Sequence, residues 1–179
     1  MPIIIAEVKT QSPFGFRAQQ SWDELFEIAN QYGDWISIHT DPRWGGSFEL
    51  LARARQQTKK PILAKGIHAD DRDIELALER GADYVLVVGR IPRDYRDSCL
   101  IEPHNLDELA VIPRDLKTVW NARDLSDGSV KPDTYSQARK QFSGWLCLAS
   151  MVKHSHDVHP DADAVLVGEN LREFTRSIK

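Results

Sequence analysis

Eight short apolar runs, spaced along the whole chain, limit its fold more than any other feature. They are IIIAEV (3–8), WISIHT (35–40), PILAKG (61–66), YVLVVG (84–89), SCLIE (98–102), LKTVWN (116–121), WLCLAS (145–150) and AVLVG (164–168). Each is rich in Ile, Val and Leu and stays apolar on both alternations, the pattern of a strand covered on both faces in a parallel sheet. Helical or polar segments separate them, so the chain reads as α/β.

Four helices are legible between the runs. The first starts after Ser21, where Glu24 completes a capping box, carries Leu25, Ile28, Ala29 and Tyr32 on one face and stops at Gly33. A second follows Ser47, and a third follows Asp70 with Ile74, Ala77 and Leu78 as its stripe and Gly81 as its stop. A fourth is expected between Asp133 and Phe142. Only RIPRDYRD separates Gly89 from Ser98, whereas a parallel crossover normally takes about a dozen residues, so no helix is expected there. Segments 103–115 and 151–163, interrupted by Pro113 and Pro160, have room for one or two helical turns each. Eight strands so connected predict one domain over residues 1–179, a (β/α)8 TIM barrel with a thinned outer helical ring. Barrels of this class use about 250 residues. The shortening falls around strands four, five, seven and eight, where a second subunit is expected to cover apolar surface as a homodimer.

Several function classes fall away on composition. Basic residues number 23 and acidic ones 27, interspersed throughout, which leaves no basic face for a nucleic-acid backbone. No apolar run nears the roughly 20 residues that span a bilayer, and MPIIIAEVKT lacks the charged region and cleavage site of a signal peptide, so a cytoplasmic protein without membrane contact is expected. Cys99 and Cys147 lie in apolar runs and read as reduced core thiols. His154-x-His156-x-x-His159 has metal-like spacing, but no cysteine or clear carboxylate ligand stands near it, and it reads as a solvated loop; neither metal nor cofactor is expected.

Barrel chemistry sits at the C-terminal ends of strands, so the polar residue closing each run is informative. Strand one closes on Glu7-x-Lys9, with Ser12 after it; strand three closes on Lys65, strand five on Glu102, strand six on Asn121-x-Arg123 and strand seven on Ser150. Two carboxylates and two lysines would meet at one mouth. Their plainer reading is a set of barrel salt bridges, Lys9 with Glu7 or Lys65 with Glu102, because charges closing apolar strands cost desolvation energy unless paired.

The order E-V-K-x-x-S-P-x-G, P-I-L-A-K, L-I-E, W-N-A-R-D-L and V-L-V-G-E at successive strand ends resembles the indole-3-glycerol phosphate synthase family, from about Ile4 to Leu171. That resemblance implies a carboxy-lyase of tryptophan biosynthesis that closes an indole ring on 1-(2-carboxyphenylamino)-1-deoxyribulose 5-phosphate, releasing carbon dioxide and water. It implies Lys65 as general acid, Glu102 as general base with Glu7 as companion, and Lys9 and Asn121 as substrate contacts. By the same resemblance Ser12, Arg123, Ser150 and Gly168, with Glu169 of the V-L-V-G-E motif, belong to a phosphate-binding set, and Trp44 lies over the anthranilate ring.

The chain also departs from the family pattern. It begins at strand one, whereas the family carries an N-terminal extension whose helices cover the active-site mouth and contact substrate. Met151 stands in place of glycine, Gly66-Ile67 in place of Asp-Phe, and Ala149 in place of a glutamate. Two further readings therefore accompany the synthase: a phosphosugar-binding barrel running another isomerase or lyase reaction, and a non-catalytic relative.

Overall fold

In a computed structural model that describes residues 2–178, the eight runs form the strands β1 (Ile3–Val8), β2 (Trp35–His39), β3 (Ile62–Lys65), β4 (Tyr84–Val88), β5 (Cys99–Glu102), β6 (Lys117–Asn121), β7 (Leu146–Ala149) and β8 (Ala164–Val167). They pair in parallel in chain order, and β8 returns to β1 to close the barrel. The helices are α1 (Trp22–Tyr32), α2 (Phe48–Gln57), α3 (Asp71–Glu79), α4 (Leu106–Ala110), α5 (Tyr135–Gln141) and α6 (Leu171–Ser177).

Alternation along each strand divides the apolar residues into two cores. Ala6, Ile36, Ile62, Val85, Ile101, Trp120, Leu146 and Val165 face outward onto Leu25, Leu51, Ile74 and Phe174 of the helices. Ile5, Leu63, Leu86, Leu100, Val119, Cys147 and Leu166 fill the barrel. A stack of Trp35 on Tyr84 (4.4 Å) and Trp145 (6.1 Å) closes its lower end. The apolar interior ends at Glu7, Lys65 and Glu102, so the mouth is where polar groups can be solvated by a ligand or water.

Local signals set the boundaries. Ser21 Oγ accepts from the Glu24 amide while Glu24 Oε2 accepts from the Ser21 amide, the expected capping box. Gly33 ends α1, but in an extended conformation (φ −77°) and not a left-handed one. Its missing side chain instead lets the backbone pass Ala6, where a Cβ would stand 2.8 Å from that residue's own. The fourth helix is shorter than expected: Thr134 is its N-cap, in a capping box with Gln137, and Phe142 already lies beyond it.

Between β4 and β5 stands only a 3-10 turn, Arg96–Ser98, as the spacing required, and the β7–β8 connection likewise holds a 3-10 turn, Ser155–Asp157. The missing helix leaves an apolar groove of about 510 Å³ lined by Ile91, Ile101, Val111 and Ile112. Helix α6, absent from the sequence reading, packs against α1 and buries Leu171 and Phe174. No helix among the described residues is long and apolar enough to cross a membrane.

Candidate active site

Strand register brings the strand-closing residues to one level. Parallel pairing sets His39 beside Lys65 and Asn121 beside Ala149, with their side chains turned into the mouth. Two adjoining clefts result. One has an apolar wall of Trp44, Ile67, Leu86 and Val88 facing Lys65 and Glu102. The other is bordered by Lys9, Arg123, Lys153, Ser150 and Glu169. Lys9, Lys65, Arg123 and Ser150 belong to both, so the clefts form one continuous site with an apolar end and a cationic end.

Lys65 Nζ donates to Glu7 Oε1 at 2.6 Å, and both groups are shielded from solvent. Burial pushes the Glu7 carboxyl up, but the cations Lys65 and Lys9 and the neighbouring His39 overcome it and hold Glu7 well below the usual carboxylate range. The missing side chain of Gly168 leaves room for this carboxylate, since a Cβ there would collide with Glu7 Oε2 and push it aside. Burial, and then Lys65 as a second cation, pulls Lys9 below the usual ammonium range against the attraction of Glu7 and Glu169.

His39 was not singled out from the sequence. Its Nε2 lies 2.7 Å from Glu7 Oε1, yet off the direction of an aligned ring N–H bond, so both ring nitrogens are buried without a well-formed hydrogen bond. Burial pulls His39 below its ordinary range, outweighing the attraction of Glu7. Its ring lies parallel to Trp44 at 5.7 Å, and this pairing orients Trp44 on the cleft wall. The rule that picked out the other strand ends also applies to His39, which closes the run WISIH.

Across the mouth, Glu102 is only 2% exposed and accepts from Asn121 Nδ2 at 2.9 Å. Ser150 Oγ donates to Asn121 Oδ1 at 2.7 Å, turning the amide so that its NH2 group faces the carboxylate. Burial raises Glu102 above the usual carboxylate range, and the nearby Lys65 and the Asn121 hydrogen bond offset only part of that. One buried carboxylate is therefore held ionised and the other is poised to take up a proton.

The motif that models indole-3-glycerol phosphate synthases matches residues 1–177 of this chain. The chain belongs to that family. It is 32% identical to an indole-3-glycerol phosphate synthase of Thermococcus kodakarensis over 215 residues, covering 98% of this chain and 91% of the relative. It is also 32% identical to an indole-3-glycerol phosphate synthase of Rippkaea orientalis, across 95% of this chain and 68% of the relative. With a tryptophan biosynthesis protein TrpCF of Vibrio parahaemolyticus it shares 34% identity over 59% of this chain, only 23% of that longer protein. The match to the Thermococcus protein runs longer than this whole chain of 179 residues, in keeping with its shortened connections.

Of the residues implied by the indole-3-glycerol phosphate synthase resemblance, the mouth assembles Glu7, Lys9, Trp44, Lys65, Glu102, Asn121, Arg123, Ser150, Gly168 and Glu169. Ser12 is the exception: its Oγ accepts from the amides of Phe14 and Phe16 within its own turn, and it borders neither cleft. The expected salt bridges are corrected. Lys65 pairs with Glu7, and Lys9 pairs with Glu169 at 2.8 Å; among the described residues neither Lys9–Glu7 nor Lys65–Glu102 forms an ion pair. The closure of β1 onto β8 brings Lys9 and Glu169 together from 160 residues apart.

Ser150 and Met151 both adopt left-handed backbone, at φ +68° and +59°. Met151 therefore holds the conformation glycine favours, at the energetic cost a side chain brings there. The histidine segment also differs from its reading. His159 turns away to pack on Tyr135, while His154, His156 and Asp157 bring ligand-type atoms within 4.8 Å of one another on the surface, and Glu173 of α6 adds a carboxylate 3.0 Å from His154 Nε2.

Proposed function

We propose that this chain catalyses indole-3-glycerol phosphate formation as a carboxy-lyase acting on 1-(2-carboxyphenylamino)-1-deoxyribulose 5-phosphate, a cytoplasmic reaction. The observation that carries this reading is that one cleft holds both the Lys65 ammonium and the buried Glu102 carboxyl, whose proton affinity is raised. The apolar wall that includes Trp44 suits an aromatic ring, and the cationic end suits a phosphate.

The chemistry follows from those placements. The aryl carbon bearing the carboxyl group bonds to the substrate's ketone carbon, and the ketone oxygen takes a proton from Lys65. The bond to the carboxyl group then breaks, its electron pair restores the aromatic ring, and carbon dioxide leaves. Dehydration removes the new hydroxyl group as water together with a proton from the adjacent CH2. Glu102 takes that proton and relays it to the departing hydroxyl, which leaves as water, while Lys65 recovers its own proton from solvent; a base with raised proton affinity is suited to such a relay. Glu7 stays ionised beside Lys65 and keeps the ammonium in place between turnovers. Asn121 orients Glu102 through its amide.

The test is fluorescence detection of indole-3-glycerol phosphate with purified protein, and with Lys65→Ala as control. Product from the parent and none from the variant supports the reading. Product formed equally by both removes the mechanism, and none from either removes the proposed reaction.

A further inference from the structure

The cationic end of the mouth already contains an anion of its own. Glu169, in the turn after β8, accepts from Lys9 Nζ at Oε1 (2.8 Å) and from Arg123 Nη2 at Oε2 (3.1 Å), so one carboxylate bridges two cations. The remaining charges are differently engaged. Lys65 is committed to Glu7, and Arg123 Nη1 donates to Gly128 O. Lys153 at the rim is exposed and forms no ion pair among the described residues. A phosphate brought to Lys9 and Arg123 would meet the Glu169 carboxylate at contact distance, and like charges so placed repel strongly in a poorly solvated cleft.

From this geometry we propose that Glu169 is an internal counter-anion that occupies the phosphate end of the site, so that a phosphorylated ligand binds only by displacing it from Lys9 and Arg123. The inference rests on the functional reading above. A tethered carboxylate competes at a high effective concentration, because no translational freedom is lost when it closes on its partners. It also has somewhere to go: Glu169 is 24% exposed and lies at the cleft edge, so its carboxylate can rotate into water. A ligand whose end there is uncharged leaves the bridge intact and carries no displacement cost. Glu169 thereby lowers the advantage of phosphorylated ligands over their uncharged counterparts, which makes it a specificity-determining residue.

The experiment is calorimetric titration of inorganic phosphate into the parent protein, Glu169→Gln and Glu169→Ala, with thermal unfolding confirming that each is folded. Uncharged 1-anilino-1-deoxyribulose serves as a second probe. At least tenfold tighter phosphate binding in both variants is expected, with the affinity for the uncharged probe changed by less than about threefold. Phosphate affinity that is unchanged or weaker in the folded variants overturns the proposal, as does a failure of those variants to bind phosphate at all. Tighter phosphate binding in a protein without ring-closing activity would leave this exchange standing and sink the proposed reaction. Ring closure with unaltered phosphate binding would do the reverse.

Discussion

Glu7 and Glu102 are the same residue type at the ends of β1 and β5, and each is 2% exposed. Their surroundings drive them apart. Glu7 touches the Lys65 ammonium, lies close to His39 and has Lys9 nearby, and it stays ionised despite its burial. Among the described residues Glu102 has only a neutral amide within hydrogen-bond reach, and burial wins. The contrast shows that depth alone does not set a carboxylate's role; the charge of its contacts does.

Removing the cation is the most drastic way to break that contrast. Lys65→Ala is expected to lower kcat/KM by about 10³–10⁴-fold, because it deletes the proton donor and the principal counter-charge of Glu7 together. Steady-state kinetics beside circular dichroism would check this, with the fold retained.

Glu102→Gln acts on the other side. It keeps an oxygen to accept from Asn121 but cannot take up a proton, so turnover should fall about 10²–10³-fold. Stability should move the opposite way, with Tm rising by about 2–4 °C at pH 8. The sign follows from linkage: a carboxyl whose folded pKa is raised contributes stability below its unfolded pKa and loses it as pH rises through the folded value. The gain should therefore vanish when melting is repeated near pH 4, where the parent carboxyl is protonated.

Asn121→Ala sharpens the contrast, since it removes the one hydrogen bond that favours ionised Glu102. The acidic limb of the kcat/KM profile should shift to higher pH, with about a tenfold loss at neutrality. Ser150→Ala should have the smallest effect, about two- to fivefold on kcat, because the Arg123 amide still donates to Asn121 Oδ1 and keeps the side chain oriented. An unmoved pH profile in Asn121→Ala would show that Glu102 is not the titrating base.

Much of the scaffold could be read along the chain. Continuous apolar runs located all eight strands, and the cap residues Ser21, Ser47 and Asp70 began the first three helices as expected. Helix α6 escaped because LREFTRSIK is short and mixed in character; its anchors Leu171 and Phe174 gain meaning only once α1 stands opposite. The strand-end rule located Glu7, Lys65, Glu102 and Asn121 but was not applied to His39. Ser12 matched a motif position, yet its Oγ accepts from the amides of its own turn and the residue borders neither cleft.

Residue types and their periodicity determined that the chain would form a closed α/β barrel with its polar groups at one end, because burial on both faces and capping are local properties. Partnership was decided by the tertiary structure alone. Which lysine neutralises which carboxylate depends on strand register, on β1 meeting β8, and on the space left by Gly168, all of which join residues far apart in sequence. Those contacts divide two identical glutamates into an ionised anchor and a proton acceptor, and they place Glu169 across the cations that a phosphate would need.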